Sequence, residues 1–234
     1  MTGDVVITGA NSAVGQAIVR AVSGGAHEGI RIVAAVRSER AEREVPQIPE
    51  GRGRIARILY DDPETLRAAC REASAVIHLA GILVERPNAR YEDANLGTTA
   101  QVLAAAVDSK LQKFVLISAF GADANSPNRY LNSKGAAEVR VAESGIPYTI
   151  LRPPLVLGAG TEGSTALARA ARGGLVPLLG GGQVVHQPVD VDDLAAAALR
   201  ATRTDIARNR SLDLAGPERL SYRALVERLS LIHI

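Results

Sequence analysis

Residues Asp4 to Val22 constrain this chain more than any other stretch. Asp4-Val-Val-Ile-Thr8 is a short apolar, β-branched run of the kind that forms a strand buried on both faces. Gly9-Ala-Asn-Ser-Ala-Val-Gly15 comes next, and Gln16 to Val22 then reads as a helix. A strand that turns through glycine straight into a helix N-terminus builds an anion site. Unpaired N–H groups and the helix dipole converge there, where a pyrophosphate can sit. Gly9 permits the tight turn, the small Ala13 lets the backbone approach phosphates, and Gly15 lets the helix pack on its strand. The spacing is T-G-x-x-x-A-x-G rather than G-x-G-x-x-G, and an ordinary strand–helix loop is the plainer alternative. The strand before it and the helix after it supply the context that a dinucleotide site requires.

The rest of the chain repeats this alternation. Strands are predicted at Ile30–Val36, Ile55–Tyr60, Ala75–Gly81, Phe114–Ser118 and Tyr148–Leu151. Between them, Glu39 to Arg54 reads as a polar loop with a short helical turn. Asp62-Pro63 reads as an N-cap with proline at the first position of a helix reaching about Ala73. A long helix is predicted over Ala89–Ser109, with Leu96, Val102, Leu103, Ala106 and Val107 on one face, and another over Arg129–Ser144. The expected fold is α/β, a Rossmann-type doubly wound parallel sheet with right-handed crossovers.

Beyond Arg152 the pattern loosens, with Pro153-Pro154 and Gly158-Ala-Gly160 breaking the chain. Helices are expected at about Ser164–Arg172, at Asp190–Thr202 and from near Ser221. Short strands are expected after Gly180–Gly182 and at Ser211–Ala215. Residues 1–228 are therefore read as a single domain. Its cofactor core extends to about residue 152, and residues 153–228 form a small C-terminal, substrate-side lobe over the carboxyl edge of the sheet. Leu229 to Ile234 break the helical pattern and resemble a translated sequencing-adaptor end. They are expected to be an artefactual tail on a chain cut short of its natural terminus.

Composition excludes several classes. Aromatics are 3% of the 234 residues, so the core must rest on Val, Leu, Ile and Ala. The formal net charge is +2 with both signs interspersed, which gives no nucleic-acid groove and leaves most arginines as solvated helix faces. The single cysteine, Cys70, excludes an internal disulfide, fits a reducing, cytoplasmic setting, and reads as a packed small residue beside Ala69 and Ala73. The four histidines show no metal-ligand spacing, so no metal is expected, and His78 reads as a satisfied core histidine. The first strand begins at residue 4, leaving no room for a signal peptide, and no apolar run is long enough to span a bilayer.

Five positions carry the chemistry. Arg37 ends the second strand, where an acid would bond a ribose 2′-OH and favour NAD(H). Arg37 with Ser38 after it points instead to the 2′-phosphate of NADP(H), the alternative being a solvated arginine at a strand end. Tyr130 and Lys134 stand one turn apart on one helix face. A free phenol has a pKa of about 10, and a fixed neighbouring cation should lower it enough to make an acid or base. Lys134 could also hold the nicotinamide ribose, although two exposed side chains on a helix would be the plain reading. Ser118 ends the fifth strand, where its hydroxyl could polarise a substrate carbonyl. The amide of Asn95 could hold a water behind the lysine.

On these residues the chain resembles the short-chain dehydrogenase/reductase superfamily. The likeness is to its atypical or extended branch, which includes the NADPH-binding accessory subunit of respiratory complex I and NmrA-like NAD(P)-binding proteins. It is carried by Val6-Ile-Thr-Gly-Ala10 with Gly15, Asp62-Pro-Glu-Thr-Leu66, Val76-Ile-His-Leu-Ala-Gly81, Gly97-Thr98, Tyr130/Lys134, Leu151-Arg-Pro153 and Pro188-Val-Asp-Val-Asp-Asp193. The resemblance implies that Gly9, Asn11, Ser12, Ala13, Val14 and Gly15 hold the pyrophosphate and Arg37 with Ser38 the 2′-phosphate. It further implies that Ala80 and Gly81 line the cofactor, that Tyr130 and Lys134 are acid/base and ribose anchor, and that Pro153 borders the nicotinamide. Relatives carry a second serine where this chain has Ala119. Where they often have an acid near the adenine, this chain has Leu59 and then Tyr60.

The function expected from this is hydride transfer between NADP(H) and a carbonyl/alcohol pair of a small molecule, apolar or quinone-like because the cleft half has few polar groups beyond Arg152, His186, Gln187 and Asp190. One alternative is a non-catalytic NADP(H)-binding accessory or assembly subunit, with a complex partner, or a redox-responsive regulator. The other is a sugar-nucleotide epimerase or dehydratase. The fold hosts all three.

Overall fold

Apolar residues dominate the inner strands, and their alternation divides the core into two layers. The protein, described here from a computed structural model, is defined for residues 3–25, 27, 29–107, 109, 111–172, 179–203 and 205–232. Its first half runs β1 (Asp4–Thr8), α1 (Ala13–Ser23), β2 (Ile32–Val36), α2 (Glu39–Arg43), β3 (Gly53–Arg57), α3 (Pro63–Cys70) and β4 (Ala73–His78). A π-helical turn (Glu92–Gly97) then runs directly into α4 (Thr98–Ala106), and β5 (Lys113–Ile117), α5 (Arg129–Ala142) and β6 (Tyr148–Arg152) come after it. The rest comprises β7 (Val156–Leu157), α6 (Glu162–Arg172), a 3-10 turn (Leu179–Gly182), β8 (Val185–His186), β9 (Val189–Asp190), α7 (Val191–Ala201), β10 (Arg210–Asp213), β11 (Leu220–Ser221) and α8 (Tyr222–Ile232).

Seven strands form one sheet in the order β10-β6-β5-β4-β1-β2-β3, and every pair in it is parallel. This is the Rossmann-type α/β fold that the alternating pattern predicted. Chain order reverses between β1 and β4, and ligands in such sheets bind outside the strand ends at that point. Val5, Ile7, Ala34, Ile77, Val115 and Leu151 face α1 and α7, whereas Val6, Val33, Val76, Phe114, Leu116 and Ile150 face α3, α4 and α5. A smaller cluster of Leu167, Leu225 and Val226 joins α6 to α8 in the lobe. β7 pairs with β9 and β8 with β11, and these short ladders fasten the lobe to the carboxyl edge.

Several boundaries differ from the sequence expectation, for identifiable reasons. β3 spans Gly53–Arg57 instead of Ile55–Tyr60. Thr65 Oγ1 hydrogen-bonds both the N–H and the carbonyl of Leu59, which claims that residue for the turn before α3. The long helix expected over Ala89–Ser109 is interrupted, because Arg86 and Ala89 form a β-bridge and Glu92–Gly97 winds as a π-turn. Val102, Leu103 and Ala106 are buried, whereas Val107, the C-cap just past the end of α4, is 67% exposed. α8 continues as helix to Ile232, through most of the stretch read as a foreign tail, and His233 and Ile234 lie outside the described residues. Among the described residues, no helix is long and apolar enough to cross a membrane.

Asp190 is an N-cap, its carboxylate accepting from the Asp192 N–H at 2.8 Å. It therefore belongs to α7 and not to the cleft. Asp190→Ala should cost about 1 kcal/mol in urea unfolding, the usual worth of a cap.

Candidate functional site

The turn after β1 is defined by close backbone contacts. Gly9 has φ +71°, and a Cβ there would stand 3.3 Å from the Ala80 nitrogen. At Gly15 a Cβ would lie 2.6 Å from Cα and O of Ala10, so α1 packs on the turn only with glycine there. Ser12 is the N-cap, its Oγ accepting from the Gly15 N–H at 3.1 Å. The first-turn amides of Ala13 and Val14 are left by the helix itself without acceptors. Asn11 donates to Glu44 at 3.0 Å and its carbonyl accepts from Gln16. Gly160 comes over this turn from the lobe, its ideal Cβ position 3.8 Å from Cβ of Ala13.

Arg37 is exposed at the end of β2 and has no ion-pair partner among the described residues. Its charge acts on Tyr60, whose phenol lies beside the Thr8 hydroxyl and is pushed up to about 12, mainly by burial. Ser38 caps α2 through its side chain. Leu59 is half exposed beside Tyr60.

Ala80 and Gly81 connect this half to the second group. A Cβ at Gly81 would meet Asn95 Oδ1 at 2.5 Å and Lys134 Nζ at 3.4 Å, which brings these groups to one point. Lys134 is 7% exposed and its ammonium donates to the Ile117 carbonyl at 3.1 Å. Burial pulls it down to about 8, against an opposing pull from Glu138. Asn95, in the π-turn, is buried; its Oδ1 accepts from the Ile82 N–H at 2.9 Å and its Nδ2 donates to Ser133 at 2.9 Å. Its amide thus joins the β4 loop to α5, where the sequence had suggested a water. Next to Ile117, Ser118 is 5% exposed, and its hydroxyl is the buried side-chain polar atom without a hydrogen-bond partner among the described residues. Pro153 is buried alongside, its carbonyl accepting from Phe120.

Tyr130 stands in the first turn of α5, its N–H held by the Asn128 cap at 3.0 Å. Its phenol is raised to about 12, first by burial and then by Tyr91, whose ring centroid is 5.6 Å away. This corrects the expectation that Lys134 lowers it: the lysine turns its ammonium to a carbonyl of β5, and no hydrogen bond joins the two side chains. The phenol is therefore neutral across the physiological range. His78 is a core residue as expected, with Nδ1 2.7 Å from Thr8 Oγ1 and its pKa lowered to about 3 by burial and by Lys134. Cys70 is buried and its thiol is pushed up to about 11.

The polar groups assigned to the cleft from sequence are engaged elsewhere. Arg152 grips Glu138 with two nitrogens, and Gln187 donates to the Gly216 carbonyl. The His186 ring packs 6.2 Å from that of Tyr222. Sequence reasoning missed Gly135, where a Cβ would lie 2.2 Å from the Ala124 nitrogen. That clearance fixes how close α5 comes to the β5 loop, and glycine inside a helix, which costs about 1 kcal/mol, was its signal. It also missed Tyr91, and Glu138, which stands one turn beyond Lys134. Among the described residues no group of acids, histidines or cysteines could hold a metal.

These features fit a nicotinamide dinucleotide: a cradle that side chains at Gly9 and Gly15 would fill, a cation without an ion pair among the described residues at the end of β2, and an unpartnered hydroxyl beside a buried lysine. The sequence model of the NAD(P)H-binding family matches residues 9–205. The chain belongs to this family. It is 31% identical over 180 residues to the mitochondrial NADH dehydrogenase [ubiquinone] 1 alpha subcomplex subunit 9 of Arabidopsis thaliana, covering 75% of this chain and 45% of that protein. It is 30% identical over 208 residues to the ceramide reductase of Caulobacter vibrioides, covering 87% of this chain and 62% of that one. The chain thus spans less than two-thirds of the length of either relative. Among solved structures, the dTDP-glucose 4,6-dehydratase DesIV of Streptomyces venezuelae with NAD and DAU bound superposes with a TM-score of 0.80 at 20% identity, over 96% of this chain and 79% of that one. The fold is thus of the short-chain dehydrogenase/reductase type.

Gly15→Ala should weaken NAD(P)H binding at least tenfold and lower the melting temperature, since the clash is with backbone. Titration by nicotinamide fluorescence and a thermal melt would check both.

Proposed function

We propose that this chain is an NADPH-dependent reductase of an apolar carbonyl compound. The observation that carries this reading is the buried, unpartnered hydroxyl of Ser118 at the end of β5. A buried polar group without a partner costs about 1–3 kcal/mol, and a hydroxyl kept at that cost next to Lys134 is well suited to an incoming oxygen. A bound reduced nicotinamide would supply the hydride. Ser118 would donate a hydrogen bond to the substrate carbonyl oxygen, and Tyr130, neutral because its phenol is raised to about 12, would transfer its proton to that oxygen. Lys134 would hold the cofactor, and Arg37, with no competing ion pair among the described residues, would take the 2′-phosphate.

An apolar substrate is supported by Leu83, Val84 and Phe120, which are 56%, 69% and 58% exposed and lie just beyond the neighbouring strands β4 and β5. The relative named ceramide reductase supports it too. A second reading, an accessory subunit that holds NADPH without turnover, is favoured by Ala119 and by the relatives that are complex I subunits. An epimerase or dehydratase would give no net change in nicotinamide absorbance.

Ser118→Ala decides between catalysis and structure. Turnover of a long-chain ketone should fall about 10²-fold or more, while unfolding midpoints should hold or rise because an unpaired polar group is removed. Tyr130→Phe should abolish turnover with NADPH affinity nearly intact; unchanged turnover in that variant would rule out the role given to the phenol. Arg37→Asp should weaken NADPH by about tenfold or more, the worth of a charged hydrogen bond, and leave NADH nearly unaffected.

A further inference from the structure

We propose that Glu138 is a positioning residue for Lys134, its buried carboxylate keeping that ammonium charged in the cleft while Arg152 holds the carboxylate in place. The inference rests on the cofactor reading above. Tyr130, Lys134 and Glu138 succeed one another at single-turn spacing along α5, so the three functional groups share one helix face. Lys134 and Glu138 are 7% and 6% exposed. Arg152, from β6, donates through Nε to both carboxylate oxygens at 2.9 and 3.1 Å and through Nη2 to one of them. Its Nη1 reaches Asp213 on β10 at 3.8 Å. A fork–fork grip of this kind fixes a carboxylate in orientation as well as place.

The surroundings of Lys134 leave Glu138 as its counter-charge. On α5 itself Tyr130 is neutral near pH 7, and β4 contributes His78, which is also neutral. The π-turn contributes Glu92 and Asp93, both exposed, together with the uncharged Asn95. α4 carries no titratable side chain. On β5, Lys113 begins the strand, at the opposite end from Ile117, and on β6 Tyr148 is likewise at the far end, leaving Arg152 as the charge nearest the cleft. Burial disfavours the ammonium and an adjacent carboxylate favours it. With an ordinary pKa drawn down to about 8, the lysine is mostly charged at neutral pH by a narrow margin. Without Glu138 the burial that draws the lysine down loses the carboxylate that opposes it.

The test is the pH dependence of NADPH affinity between about pH 7 and 10, measured by nicotinamide fluorescence, with Lys134→Met to show whether the lysine is the group that titrates. In the unmodified protein affinity should be flat at neutral pH and decline above about 8, as the ammonium loses its proton. Lys134→Met should be flat throughout. Glu138→Gln should move the decline down by about one pH unit or more, the effect of removing an adjacent opposite charge. Glu138→Asp, which keeps the charge, should restore it to its original position, whereas a purely structural role would weaken binding in both variants without moving the break. Should Glu138→Gln not fold, Glu138→Leu with Arg152→Leu removes both charges together, a replacement that buried pairs commonly tolerate, and must move the break in the same direction by a smaller amount. A break that stays in place in the charge-free variants overturns the inference and leaves the cofactor reading standing. Absence of NADPH binding by the unmodified protein overturns both.

Discussion

The contact between the first turn of α1 and the residue after β1 is the constraint on which the rest depends. At Gly15 the backbone of Ala10 occupies the space where any side chain would begin, and at Gly9 the backbone of Ala80 does nearly the same. Three segments are thereby drawn to one point: the end of β1, the start of α1 and the end of β4. The helix amides face the crevice where strand order reverses, and α5 joins the same point through Lys134, with Asn95 of the π-turn beside it at Gly81. Backbone exclusion therefore shapes the cleft before any side chain lines it.

Much of this could be read in the chain because the signals were local. The β1–turn–α1 unit, the Asp62 cap with Pro63, and the run of parallel strands each depend on a few neighbouring residues and appear as expected. Tyr130, Lys134 and Ser118 were singled out from spacing and from their places relative to β5. What sequence did not carry was orientation. Lys134 lies one turn from Tyr130, yet its ammonium is drawn to the Ile117 carbonyl while Tyr91 faces the phenol, and both partners come from distant segments. Arg152 looked like a cleft residue and is half of an ion pair with Glu138, because β6 and α5 are neighbours only after folding. The π-turn was invisible too, since periodicity assumes an unbroken helix.

The distribution of polarity is uneven in a way that suits chemistry. His78 and Thr8 satisfy each other, Asn95 is shared between a loop and a helix, and Glu138 is gripped from β6. Against this background of satisfied groups, the hydroxyl of Ser118 stands alone among the described residues. Its isolation matters because the groups around it are paired, and because its neighbour on the strand, Ile117, supplies the carbonyl that anchors the lysine.

The packing of α7 on α1 has a consequence for how the chain comes to be folded. Val191, Leu194, Ala195, Ala198 and Leu199 belong to the same buried cluster as Ile18, Val19 and Val22, yet they are made long after the first six strands. A nascent chain that has completed β6 therefore still presents one greasy layer to solvent or to a chaperone. Strand β10, which closes the sheet against β6, arrives later again, and Lys113 holds the loop before it through the carbonyl of Ile206. Burial of the helix that follows the glycine turn is thereby coupled to synthesis of the α7 segment that covers it.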